Sequence, residues 1–379
     1  MRSGLSRTEA QVKIRELVEA LFVNIPSGVG SHRKDLRLGR EEQRQVLRKG
    51  ARWAIERGYG TPSDLEHTEE GGCIEGADPE EISDRAMERG RDQLGTVGSG
   101  NHFVEVGYVA EVFDEKIAQG MGLWKDQVTI FVHTGSRGLG HQVCDDFIRV
   151  MMNATRKYPF ELPDPQLCCA PVSSPEGERY LRAMAGAANF AFTNRQMISH
   201  WVRETFEQIF QRGPRDLKLD LVYDVCHNIA KIETHTTRGQ KKKVCVHRKG
   251  ATRAFPPDHP EIPEKYRSIG QPVLIPGDMG RCSYVLVGTR KAMEETFGST
   301  CHGAGRVMSR HQATKAARGR SITRELEDRG IIVKGASRGT LVEEIPEAYK
   351  DVNDVVDVVH QAGISKKVVK LVPMGVIKG

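Results

Sequence analysis

No stretch of the 379 residues approaches the ~20 consecutive apolar positions that a membrane-spanning helix needs. The opening segment MRSGLSRTEAQVKIRELVEAL is amphipathic and lacks the apolar centre of a signal peptide, so a cytoplasmic, membrane-free protein is expected. Cysteine is sparse and scattered: Cys73, Cys144, Cys168, Cys169, Cys226, Cys245, Cys282 and Cys301 form no C-x-x-C pair, which argues against a zinc ribbon and a disulfide scaffold and for reduced thiols. There is no GxxxxGK[ST] loop, no internal repeat and no low-complexity tract. The GSRGLG stretch at 135–140 departs from GxGxxG spacing and projects an arginine where a dinucleotide turn needs bare backbone. Charge of either sign is also in small excess only. Lys and Arg number 56 against 50 Asp and Glu, a balance of +6 that allows a basic face without demanding one.

With 38% apolar and 28% charged residues, the chain is globular in composition and can bury a sizeable core. Thr8 and Gln11 read as a capping box opening a helix to about Phe22. Further helical spacing covers roughly 40–58, 79–89, 141–153, 290–297 and 353–362, and a long Ala-, Met- and aromatic-rich helix covers roughly 176–211. Strand-like runs lie at 103–109, 128–133, 217–225, 244–247, 283–288 and 368–377. Their order with the helices is irregular and does not form repeated βαβ units. The expectation is an α+β fold whose strands converge on a central cleft flanked by helices.

Several of these runs end in a loop that sets a histidine beside Gly, Asn, Ser or Arg. They are GTVGSGNHFVEV (95–106), VHTGSRGLGHQ (132–142), DVCHNIAKIE (224–233), VHRKGATRAFPP (246–257) and STCHGAGR (299–306). One such histidine is more often structural than functional. Five loops of one kind are harder to dismiss, because neutral imidazoles ligate Mn²⁺ or Zn²⁺ and the glycines let backbone N–H groups approach phosphate closely.

These blocks, together with IPSGVGS (25–31) and the terminal HQAGISKKVVKLVPMGVIKG, resemble the successive signatures of the RtcB family of GTP-dependent RNA ligases, in family order over nearly the whole chain. The resemblance implies one RtcB-like catalytic domain over 1–379. The implied activity joins RNA 2′,3′-cyclic phosphate or 3′-phosphate ends, such as those of tRNA halves, to 5′-hydroxyl ends in tRNA splicing and RNA repair. GTP and two Mn²⁺ are the implied cofactors, and an archease-type protein the implied activator.

By the same resemblance His302, in CHGAGR, is the nucleophile that takes up GMP, with Gly303, Ala304 and Gly305 making room for the nucleotide. His102, His133 and His227 correspond to metal ligands. The guanylate pocket comprises Asn101, His102, Phe103, Val104, Glu105, His227, Asn228, Pro276, Gly277, Asp278, Met279, Ser283, Tyr349 and Lys378. Lys378 would have to fold back into that pocket from the chain terminus. Asp278 stands where a small or hydroxyl residue is expected, and it would disfavour a triphosphate unless it faces solvent or pairs with Arg281. Arg137, Arg248, Lys249, Arg253 and, further, Arg306 are the candidate RNA-phosphate contacts, since backbone recognition calls for cations.

The family pattern also has an Asp-x-x-Cys block upstream of the IPSGVGS-like segment, whose Asp and Cys complete the metal set. The 379 residues start after that place, so the chain is expected to be N-terminally truncated relative to the family, with none of its eight cysteines filling the bridging role. On the residues alone, a GTP-independent metal phosphoesterase acting on cyclic phosphates and a catalytically impaired RNA-binding remnant stay open.

Overall fold

In the computed structural model, which describes every residue except residue 160, eleven strands are formed among the described residues. They are β1 (Arg2–Ser6), β2 (Phe103–Val112), β3 (Gln127–His133), β4 (Asn228–Thr237), β5 (Gln240–Lys249), β6 (Ala251–Arg253), β7 (Pro272–Ile275), β8 (Ser283–Gly288), β9 (Ser299–Cys301), β10 (Ile332–Gly335) and β11 (Ser365–Lys378). Seven build one sheet in the order β1-β3-β2-β11-β8-β7, with β10 alongside β11; β4–β5 and β6–β9 are separate ribbons. The β10–β11 pair is parallel and the other described pairings are antiparallel. The fold is α+β, as the irregular element order predicts.

The period-2 alternation of β2 divides the core. Val104 and Val106 face a layer formed by Leu17, Val18 and Leu21 of the helix Ile14–Asn24 and by Ile198, Val202 and Phe206 of the long helix Pro175–Phe210. Phe103 faces the other way, with Phe131, Val285 and Val376, under the loops that carry the histidines. The long helix also packs its small-residue stretch, Ala183 and Ala187, against Leu139, Val143 and Phe147 of the helix Arg137–Lys157.

Register places the site. His133 lies opposite Phe103, Phe103 opposite Lys378, and Lys378 opposite Gly335, so one row across four strands ends at a common edge. The terminal lysine is therefore a central-strand residue, 3% exposed, and does fold back into the interior.

Several sequence expectations change. The first capping box belongs to Ser6 and Glu9 rather than Thr8 and Gln11, and the helix breaks at Val12–Lys13 before resuming at Ile14. The 40–58 helix splits at Gly50, whose φ of 57° suits glycine and whose Cβ, if present, would lie 2.1 Å from the Gly72 carbonyl oxygen. The 79–89 segment is a 3₁₀ turn, Pro79–Glu81, followed by the helix Asp84–Gly90. The 217–225 run is no strand: it crosses the core edge with only the isolated bridges Arg2–Asp220 and Thr68–Asp224, its apolar side chains being buried in the two core layers without a ladder of their own.

Candidate active site

Four histidines from four separate segments meet at the strand ends. His102 precedes β2, His133 ends β3, His227 precedes β4 and His302 follows β9. The Nε2 atoms of His133 and His227 are 3.3 Å apart. The His227 and His302 rings stack at 3.7 Å and 11°, and the His102 and His133 rings meet edge-on at 5.7 Å. Close approach around His102 requires Gly98, since a Cβ there would sit 2.1 Å from His102 Nδ1 and 2.4 Å from Arg137 Nη1.

His133 is buried and the other three rings are half-buried, and each is held below the ordinary histidine value. Burial, then Arg137 and Lys378, holds His102 down to about 3; burial, then Arg195 and Lys249, holds His227 down to about 4. Burial and the neighbouring imidazoles keep His133 and His302 well below the ordinary histidine value. The Nδ1 atoms of His102, His133 and His227, and both nitrogens of His302, are buried without a hydrogen-bond partner. Orphaned lone pairs of this kind are costly unless something binds them. One donor atom from each of His133, His227 and His302 lies within 4.8 Å of the others, so the donor set fits a borderline divalent cation. That trio differs from the expected set of His102, His133 and His227: the assigned nucleophile His302 is inside it and His102 stands just outside, because the stacked His227–His302 pair is tighter than the His102–His133 contact.

The histidines open onto a cleft of about 1280 Å³. Asn101, Phe103, Glu105, Asn228, Pro276, Gly277, Asp278, Met279, Gly303, Ala304, Gly305, Tyr349 and Lys378 all line it. Val104 and Ser283 do not. The Val104 side chain turns to the opposite face of β2, and Ser283 Oγ accepts from Gly277 N at 3.2 Å, which braces the 276–279 loop from behind. Asp278 pairs with Arg281 at 3.1 Å, the circumstance in which its carboxylate is tolerated near phosphate. Glu105 is pushed up to about 8 by burial and then by Asp278, so it keeps its proton at neutral pH. Burial lowers Lys378 to about 8, while Glu344, 3.8 Å away, works against that shift.

Two of the expected RNA contacts are struts. Arg248 is 2% exposed and forked on Glu233 at 2.5 and 2.9 Å, and Arg253 is 1% exposed, outside the cleft lining and paired with Glu69, Glu70 and Glu261. Neither has a free guanidinium edge, because the neighbouring carboxylates occupy it. Arg137 lines the cleft while binding Thr96 Oγ1, Ser31 Oγ and the Gly28 carbonyl, which ties the 25–31 segment to its wall. Lys249 is exposed at the cleft. Arg306 lines it too but is held by Glu344 and Tyr349.

Sequence reasoning missed Glu344 and Arg195. Glu344, 2% exposed, gathers Arg306, Tyr349 and Lys378. Arg195 comes from the long helix, donates to Asp224 at 2.6 Å, and leaves Nη2 buried and unpartnered at the cleft. Its signal was a lone arginine inside the otherwise uncharged helical stretch 183–202.

Comparison with known proteins shows the family of the chain. The family described as tRNA-splicing ligase RtcB matches residues 1–379. Proteins named tRNA-splicing ligase RtcB from Archaeoglobus fulgidus and Thermococcus kodakarensis are 56% and 55% identical over 379 residues, which is all of this chain and 78% of each relative. The Aeropyrum pernix protein of that name is 51% identical over the same span. Four imidazoles gathered on one cleft thus accompany a match along the whole chain, which belongs to the tRNA-splicing ligase RtcB family.

Proposed function

We propose that this chain is the catalytic body, one domain over 1–379, of a cytoplasmic RNA ligase that joins 3′-phosphate or 2′,3′-cyclic phosphate ends to 5′-hydroxyl ends with GTP, in tRNA splicing and RNA repair. The observation that carries the reading is His302: a neutral imidazole with both nitrogens unpartnered, at the wall of a cleft large enough for a nucleotide and a strand end. A lone pair so placed attacks the α-phosphorus of GTP; the bond to the β-phosphate oxygen breaks and pyrophosphate leaves. The phosphoramidate then passes GMP to an RNA 3′-phosphate oxygen and regenerates the imidazole. A 5′-hydroxyl attacks that activated phosphate, loses its proton and expels GMP. A cyclic phosphate must first add water to give the 3′-phosphate.

A bound divalent cation, Mn²⁺ in this reading, supplies charge neutralisation and polarisation at phosphate. His133 and His227 would hold it beside His302, and His102 stands where it could serve a second ion. The chain's own groups orient the nucleotide. Asn101, Asn228 and the 276–279 backbone offer hydrogen bonds, Gly303 and Gly305 adopt positive φ that leaves the phosphate path open, and Lys378 brings positive charge to the pocket floor. Arg137 and Lys249 face the strand end, and an archease-type protein is the helper that this chemistry would use.

Incubation with α-labelled GTP and Mn²⁺ is expected to label the protein, and His302→Ala to abolish the label. Labelling of the variant at the parent level, or joined RNA formed without GTP, would overturn the assignment; the second result would point to a phosphoesterase-like route.

A further inference from the structure

The β4–β5 ribbon stands outside the main sheet, and its two faces differ in chemistry. Register pairs Ile229 with Arg248, Lys231 with Val246, Glu233 with Val244 and His235 with Lys242 on one face. That face is anchored: Arg248 binds Glu233, Ser299 Oγ and the Phe297 carbonyl, and Lys231 reaches Glu69 at 2.9 Å. The other face pairs Asn228 with Lys249, Ala230 with His247, Ile232 with Cys245, Thr234 with Lys243 and Thr236 with Lys241. It carries no carboxylate. Lys241, Lys243, His247 and Lys249 are all exposed on it, and none of the three lysines forms an ion pair among the described residues. Arg238 and Gly239, both at positive φ, close the ribbon in a two-residue turn that adds one more exposed cation at the tip.

Same-face neighbours on a strand are about 6.8 Å apart, close to the step between successive phosphates of a single strand, and Lys241 to Lys249 spans about 27 Å. The row ends in the cleft, whose lining includes His247 and Lys249. Half-exposed Ile232, in the middle of the row, offers an apolar surface to a base.

We propose that the outer face of the β4–β5 ribbon is a track for the sugar–phosphate backbone of single-stranded RNA, with Lys241, Lys243 and His247 carrying the strand whose end lies at Lys249 in the cleft. The proposal rests on the ligase reading for its occupant, and its sequence-independent contacts are of the kind that position a strand without reading bases.

The test is binding of 3′-phosphorylated RNA oligomers of about 3 and about 10 nucleotides to the full chain and to K241E/K243E, over a salt series. For the longer oligomer the variant is expected to bind at least 10-fold more weakly. Its slope of log affinity against log salt is expected to fall by about 1.4, two contacts at roughly 0.7 each. The shorter oligomer should bind both proteins alike, and labelling from α-labelled GTP should be unchanged, which also reports an intact fold. Parent-like affinity for the longer oligomer overturns the track, as does equal weakening for both lengths. A parent chain that neither labels nor binds RNA instead overturns the ligase reading beneath it. K241Q/K243Q is expected to give an intermediate loss.

Discussion

Two buried polar regions flank the segment Cys226–Asn228, and they are built in opposite ways. On one side, Glu69 meets Lys231 at 2.9 Å and Arg253 at 3.3 Å, and Glu233 meets Arg248 and His235 at 2.5 and 2.8 Å. On the other, the four histidines carry five ring nitrogens with no partner. Burial works to raise Glu69, yet Lys231 and Arg253 hold it down to about 2; burial of His133 and His302 is reinforced by the neighbouring imidazoles, with only a backbone contact at Leu274 working against it at His302, and both are held well below the ordinary histidine value. The first region pairs each of its carboxylates with a cation, leaving only single atoms such as His235 Nδ1 without a hydrogen bond, and holds the β4–β5 ribbon against the body. The second has unspent hydrogen-bonding and ligand capacity, and only a bound species can complete it. Charge content alone does not separate structural from functional polar burial; partnership does.

The sharpest way to break this contrast is to remove a ligand. His133→Ala is expected to weaken Mn²⁺ binding by more than the roughly 10–100-fold that loss of an outer-shell partner costs, while the metal-free protein melts at or above the parent temperature. A marked loss of metal-free stability would show that the cluster is structural. Isothermal titration and a melt decide it together.

The ion-paired side should respond the other way. Glu69→Ala leaves Lys231 and Arg253 buried with less counter-charge, at a cost of about 3–5 kcal/mol in denaturant unfolding. Chain that remains folded is expected to bind Mn²⁺ as the parent does. A change below about 1 kcal/mol would mean that the network is not what secures the ribbon.

A smaller effect comes from acid. The histidines have folded-state values below the ordinary 6.5, so as pH falls through 6.5 the unfolded chain takes protons that the folded chain refuses. Stability is present above that point and lost below it, by up to about 1.4 kcal/mol per pH unit for each histidine. For His227 the loss levels off near 4. His227→Gln should flatten the metal-free stability curve between pH 6.5 and 4 by about one proton; an unchanged slope would place His227 in a solvated, ordinary setting.

Much of the site was legible before the fold. His102, His133, His227 and His302 were recognisable because each follows or precedes an apolar run and sits beside Gly, Asn, Ser or Arg in a block that resembles a family signature, and the long helix announced itself by unbroken spacing over 176–211. What misled was local in the same sense. The 217–225 run has strand composition, but Leu217 and Leu219 are buried against the helical layer and Val222, Tyr223 and Val225 in the cluster with Tyr266 and Phe255, with no ladder partner. Arg248 and Arg253 lie in β5 and β6, but the charged segment around them reads as a solvated loop, and nothing nearby in the chain marks Glu233, Glu69 or Glu261 as their partners. Glu233 and Arg248, 15 positions apart, are brought together by the ribbon's register, and Glu69 is far upstream.

Composition and spacing by themselves determined that this chain buries an α+β core, has no helix apolar enough to span a membrane, and sets histidines in loops at the ends of apolar runs, since periodicity and residue type are local properties. Tertiary structure alone decided which imidazoles come within reach of one another and which basic side chains lack a carboxylate partner. A ring nitrogen's partner, or the lack of one, and the carboxylate that silences an arginine come from segments distant in sequence, and their placement depends on strand register and burial that no short window of residues contains.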